Sequence, residues 1–249
     1  MSRPAYAKLP SAWARRKPTR IEQVPIPTTE PERGAHAYLP VEEGLTMLKW
    51  RAHKSHASAA LLVLFALSII SNKAQRKDGL RKTDLVQATY EEIQAVAPLS
   101  RKLVCEGLKL LHTVGAISSE RYGNRSIYHL LGIDEGGQWC ELPQQHLLNS
   151  FSFMHRFGPF VDQIKRPTTL HALKLYMLLL TFRNSHLNAT RMSYDTIAEY
   201  TGLRREEIST AVLLLIGAQL CRMATDQEVE VRKGDRTHNR YIVMGLSAS

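Results

Sequence analysis

The chain has 249 residues, room for one large domain or two small ones with an extension. Hydrophobic residues make up 44%, enough for a packed core, while a formal net charge of +10 and a pI of about 9.6 point to an acidic partner, nucleic acid before anionic membrane. Three cysteines (Cys105, Cys140 and Cys221), widely spaced and without a Cys-x-x-Cys pair, speak against a disulfide framework or a zinc finger and fit a reducing cytoplasm.

Residues 1–35 carry six of the eleven prolines, seven Lys/Arg and three acidic residues, with little periodicity. This composition predicts a disordered basic tail, with "ARRKP" (Ala14 to Pro18) available to phosphates or a minor groove. No apolar run follows the basic residues near the start, so no secretory signal is expected. The longest uncharged apolar stretch, Ala57 to Ile70, is shorter than the ~20 residues that span a bilayer and reads as a buried helix.

From there the chain repeats itself. Leu39-Pro40 is echoed by Leu142-Pro143, each ahead of a short helical stretch. Long apolar helices follow, "HASAALLVLFALSIISN" and "TLHALKLYMLLLTFRN". Then Tyr90, Ile93, Leu99, Arg101, Val104, Leu108 and Leu111 match Tyr194, Ile197, Leu203, Arg205, Ile208, Val212 and Leu215 at a constant offset of 104. Gly115-Ala116 is matched with Gly217-Ala218, and "NRSIYHL" at Asn124 with "NRYIVMGL" at Asn239. Order, spacing and the polar Asn-Arg pair together argue for a duplication.

Within a unit, Thr89 opens a capping box with Glu92, and Tyr90, Ile93 and Val96 face inward. Pro98 ends that helix in the first unit, and Gly202 takes the same role in the second. Ser100 caps the next helix, whose inward stripe is Val104, Leu108 and Leu111. Its outer positions are Arg101, Lys102, Cys105, Glu106 and Lys109. The second unit places Arg204 at the cap, where no side-chain acceptor exists, followed by Arg205 and Ser209. Cations gain nothing from the dipole at a helix start, so an outside anion is expected there. A strand period then returns as two hairpins. One runs Ile117 to His129 about a Gly123-Asn124 turn. The other is longer, with Arg232, Lys233, Arg236, His238, Asn239 and Arg240 at its tip.

Helix, helix, turn, helix and basic hairpin resembles the winged-helix family over roughly residues 36–133 and 135–246. The expected fold is therefore mainly α with small β-hairpins, α+β. It comprises a disordered tail (1–35), one winged helix at 36–134 and another at 135–249. The second unit is most similar to winged helices of plasmid and phage replication proteins and allied regulators. The resemblance implies double-stranded DNA as partner, with the third helix in the major groove and the hairpin on the backbone or in the minor groove. Candidate contacts are Ser100, Arg101, Lys102, Lys109, Arg121, Asn124 and Arg125 in the first unit. In the second they are Arg204, Arg205, Ser209, Arg232, Lys233, Arg236, Asn239 and Arg240.

Initiation of plasmid or mobile-element replication is the first expectation. A transcriptional regulator is the alternative, and a protein–protein adaptor on the same fold the second alternative. Replication or transcription machinery would then be a further partner, and a homodimer could form through the first unit or through a helix around "LLNSFSFMHRF" (Leu147 to Phe157). No enzyme, cofactor or metal is expected. Phosphate-loop, nucleophile-elbow and His-Glu-x-x-His motifs are absent, the ten histidines are scattered, and Trp50 and Trp139 read as core. No membrane partner is expected, and a bacterial cytoplasmic, nucleoid- or plasmid-associated location follows from the same reasoning.

Overall fold

The computed structural model describes residues 6–22, 38–78, 84–122, 125–133, 138–224 and 239–247. The chain opens with β1 (Ala7–Pro10), a 3-10 turn (Trp13–Arg15), β2 (Thr19–Glu22), β3 (Tyr38–Val41) and a second 3-10 turn (Gly44–Met47). The first unit follows: α1 (Trp50–His53), α2 (Ser55–Asp78), β4 (Leu85–Ala88), α3 (Tyr90–Val96), α4 (Arg101–Thr113), β5 (Ile117–Tyr122) and β6 (Arg125–Leu130). β7 (Trp139–Leu142), α5 (Gln144–Leu147), a 3-10 turn (His155–Phe157) and α6 (Gly158–Asp162) lead on. The second unit holds α7 (Pro167–Thr181), β8 (Ala189–Met192), α8 (Tyr194–Thr201), α9 (Arg205–Gly217), β9 (Cys221–Met223) and β10 (Asn239–Val243).

This is an α+β chain of helices with small antiparallel sheets. Each unit holds a three-stranded sheet of the same order, β4-β6-β5 and β8-β10-β9. The offset of 104 holds for β4 and β8, for the starts of α3 and α8, and for α4 and α9. Beyond the helices, the sequence-based matching slips. Gly115 and Gln219 both have positive φ, and both are followed by an N–H bonded back to a helix carbonyl (Ala116 to Leu111, Leu220 to Leu215). The equivalent of Gly115 is thus Gln219, not Gly217. Register shows a second slip. Val86 pairs with Tyr128 and Thr190 with Tyr241, so Asn239 corresponds to Ser126 and not to Asn124.

α2 and α7 form the centre. All residues from Ala57 to Ile69 are buried, as are Leu170 and all of Ala172 to Thr181. Buried on nearly every side, each needs neighbours all round. α2 is long and apolar enough to cross a membrane by length and composition, yet 78% of its Ser55–Asn72 stretch is buried inside the fold. Phe65 of α2 stacks on Phe157 at 5.4 Å and meets Tyr176 of α7 edge-on at 6.0 Å, so the two units share one core. α4 comes close to α2 at Gly107, where a Cβ would lie 3.1 Å from the backbone of Ala59 and Ala60.

Two expectations are corrected. Residues 6–22 are not a disordered tail: β1 pairs with β7, β2 with β3, and Ala7, Leu9, Trp13 and Ala14 are buried. The proline content suits edge strands and turns as well as it suits disorder. No single helix spans Leu147 to Phe157 either. α5 ends at Leu147, Asn149 Oδ1 accepts from the backbone of Phe151 and Phe153 to fold a turn, and Leu147, Leu148, Met154 and Phe157 all enter the core. Trp50 and Trp139, expected in the core, are half-buried against its edge.

Candidate nucleic-acid interface

The local chemistry that sets up α4 is the one its sequence dictates. Glu92 N–H donates to Thr89 Oγ1 at 3.2 Å and Thr89 N–H to Glu92 Oε2 at 2.7 Å, so α3 starts with both ends of its capping box in place. It stops at Val96, two residues before Pro98. Ser100 Oγ then accepts from Leu103 N–H at 3.3 Å, and α4 begins at once. Val104, Leu108 and Leu111 are buried as their spacing implies, and Arg101, Lys102 and Lys109 are exposed.

These caps bring three arginines together. Arg101 at the start of α4 and Arg121 and Arg125 on the β5–β6 hairpin line an open cleft of about 410 Å³, with Ala88, Thr89, Tyr90, Glu91 and Ser126 completing its wall. Arg121 pairs in register with Ser126 and Arg125 with Tyr122, so both sit where the hairpin nears its turn. Arg101 Nη1 lies 2.7 Å from Glu91 Oε1, and its guanidinium stands 5.3 Å from the centre of the Tyr90 ring. One carboxylate thus faces three guanidinium groups, and all four side chains are exposed. Lys109 is paired with Glu106 at 2.8 Å, one turn further along α4. Thr89, Tyr90 and Ser126 were missed in the sequence. The cap role of Thr89 is its only local signal, and Ser126 reaches the cleft through strand register alone.

The second unit repeats the frame but not the charge. Gly202 closes α8 at φ 70°, and Ser193 Oγ accepts from Thr196 N–H at 3.0 Å. Arg205 is paired with Asp195 at 2.6 Å, the same pair as Arg101 with Glu91 at the same offset. At the α9 start, Glu207 accepts from the Arg204 backbone N–H at 2.8 Å and from its guanidinium at 3.1 Å. Burial works against the Glu207 charge, but these two bonds hold its carboxyl below the usual range. The anion expected at Arg204 and Arg205 is therefore supplied within the chain.

Ser209 is exposed and Asn239 is half-buried. Arg240, expected at a wing tip, is 7% exposed within the central strand of its sheet, a correction that follows from the register above. Asn124, Arg232, Lys233 and Arg236 lie outside the described residues. So do positions 225 and 238, which offset and register equate with Arg121 and Arg125. On α4 three Lys/Arg stand against one Glu, whereas α9 has one Arg against two Glu. Lys109 and His112 of α4 are replaced by Leu213, 67% exposed, and Ile216.

Of the tail motif, Arg15 donates to Thr181 O at 2.8 Å and Lys17 is paired with Glu199 at 2.9 Å, leaving Arg16 exposed. Among the described residues no cluster of His, Cys, Asp and Glu could hold a metal ion. Comparison with protein-family models, with characterised proteins and with solved structures yields no match for this chain.

Proposed function

We propose that the chain is a double-stranded DNA-binding protein made of two winged helices, acting in the initiation of plasmid or mobile-element replication. The observation that carries the reading is the cleft of Arg101, Arg121 and Arg125 beside the start of α4. Guanidinium groups that outnumber carboxylates at the mouth of a helix–hairpin junction suit backbone phosphate, and free N–H groups at the helix start add to the attraction. The exposed Arg101–Glu91 pair costs little to open, since such pairs contribute little in water. Lys102 and Lys109 continue the cationic surface along α4 towards base edges.

The element order supports a winged helix in each unit. A helix is followed by a strand, two helices joined by a short turn, and a hairpin whose second strand lies between the other two. The tandem arrangement supports binding to two neighbouring DNA sites, the need of an initiator at direct repeats. A regulator would use the same surface on a single operator.

Selection from random duplex fragments followed by sequencing, at two salt concentrations, tests both points. Enrichment of a directly repeated site is expected for the initiator. Enrichment of one isolated site favours the regulator, and no binding at low salt removes the DNA reading. A second reading has one observation in its favour: the outer face of α9 is apolar at Leu213 and Ile216, which suits a protein partner better than phosphate.

A further inference from the structure

Lys174 lies in the middle of α7, where its side chain is buried to all but 4%. Its Nζ donates to Leu48 O at 3.2 Å and to Thr201 O, the last residue of α8. An ammonium has three N–H donors, so one is left over. The same residue lines a cleft of about 440 Å³, a volume in the range of small-molecule sites. Leu48, Trp50, Leu170, Ala198 and Leu203 give this cleft apolar walls. It opens between the segment before α1 and the α8–α9 turn, and Arg51 and His171 stand on its lining.

The charges decide what would enter. Three carboxylates line the cleft, and each has a cationic partner: Glu42 with Lys49, Glu199 with Lys17, and Glu207 with Arg204. Among the described residues no carboxylate is paired with Lys174 or Arg51. The unbalanced charge on the lining, at Lys174 and Arg51, is therefore positive, and it shares the cleft with apolar side chains. We propose that this cleft binds a small organic carboxylate, its carboxyl group on the free N–H of Lys174 and its apolar body against Trp50 and Leu170. Phosphate lacks the apolar body, and a neutral molecule would leave the ammonium without its counter-ion. The site does not depend on the DNA reading.

Binding is linked to a proton. Burial pushes Lys174 down to about 7, with Glu207 and Glu42 pulling it up and Lys49 pulling it down. His171, which faces the same space, is held below its ordinary value by burial, opposed by Glu207 and aided by Lys174 and Arg204. A bound carboxylate stabilises the charged ammonium, so the complex takes up a proton above pH 7 and affinity falls as pH rises.

The test is calorimetric titration of the full chain with phenylacetate and with the neutral phenylacetamide, at pH 7 and pH 8.5. Phenylacetate is expected to bind, more weakly at the higher pH and with proton uptake, and phenylacetamide is not. Lys174→Met is expected to abolish binding. Because that variant could fail to fold, Arg51→Ala, at an exposed position, provides a second check with a several-fold loss. No heat with phenylacetate, equal binding of the amide, preference for inorganic phosphate, or affinity independent of pH would each overturn the proposal.

Discussion

Arg101, Arg121 and Arg125 come from a helix start and two strands, and each is exposed, so replacing them leaves the core alone. Arg121→Ala and Arg125→Ala are each expected to weaken duplex binding. Each should lower the slope of log K against log salt by about 0.9, the share of one phosphate contact. Lost affinity with an unchanged slope would show that the residue acts through something other than phosphate. Lys174 supplies a pH test of a different kind. Burial holds it at about 7 in the folded chain, against 10.5 for an ordinary lysine. Between those values the unfolded chain binds a proton that the folded chain does not, so stability rises with pH by up to about 1.4 kcal/mol per pH unit. Above about pH 9 the Cys140 and Cys221 thiols, pushed up to about 12 by burial, give the opposite slope. Urea unfolding at pH 7 and 8.5 should therefore show a rise that Lys174→Met lacks, and parallel behaviour of the two proteins would contradict it. Residues whose roles are local were legible from sequence: the Thr89–Glu92 box, the Ser100 cap and the Gly202 turn all stand where spacing put them. Arg240 was not, because its burial follows from a two-residue register that only the partner strand fixes.

At the scale of elements, the long apolar helices and the amphipathic pairs were readable because their periodicity is carried within each segment. β4 and β8 were not. Each has four residues, too few for a period, and each exists by pairing with a strand about forty to fifty residues further on. Gly107 joins the two scales. Alanine would gain about 1 kcal/mol of helix propensity, yet its Cβ would press on the α2 backbone, and overpacking costs about 1–3 kcal/mol. Gly107→Ala is expected to lower the unfolding midpoint in urea, whereas Gly217→Ala, with nothing within 4 Å of its added carbon, should not. A Gly107→Ala protein more stable than the parent would show that α2 and α4 can move apart freely.

For the molecule as a whole, the extension at residues 6–22 matters most. β1 pairs with β7 across some 130 residues of chain, Arg15 reaches Thr181 of α7, and Lys17 reaches Glu199 of α8. Composition could not reveal this, since prolines and arginines look alike in a free tail and in a strap that crosses two units. Trp13 is 1% exposed in the shared core, so Trp13→Ala is expected to cost about 3–5 kcal/mol. Both units should lose stability together in one unfolding transition, and a second transition at unchanged midpoint would mean that the strap serves only one of them. The proposed role of the Arg101–Arg121–Arg125 cleft is to grip DNA. It is tested most directly by salt-dependent binding of a labelled duplex to the intact protein and to the triple alanine variant. Tight binding that weakens steeply with salt is expected for the intact protein, and a slope about 3 smaller for the variant. Equal slopes for the two proteins, or no binding at low salt, would contradict it.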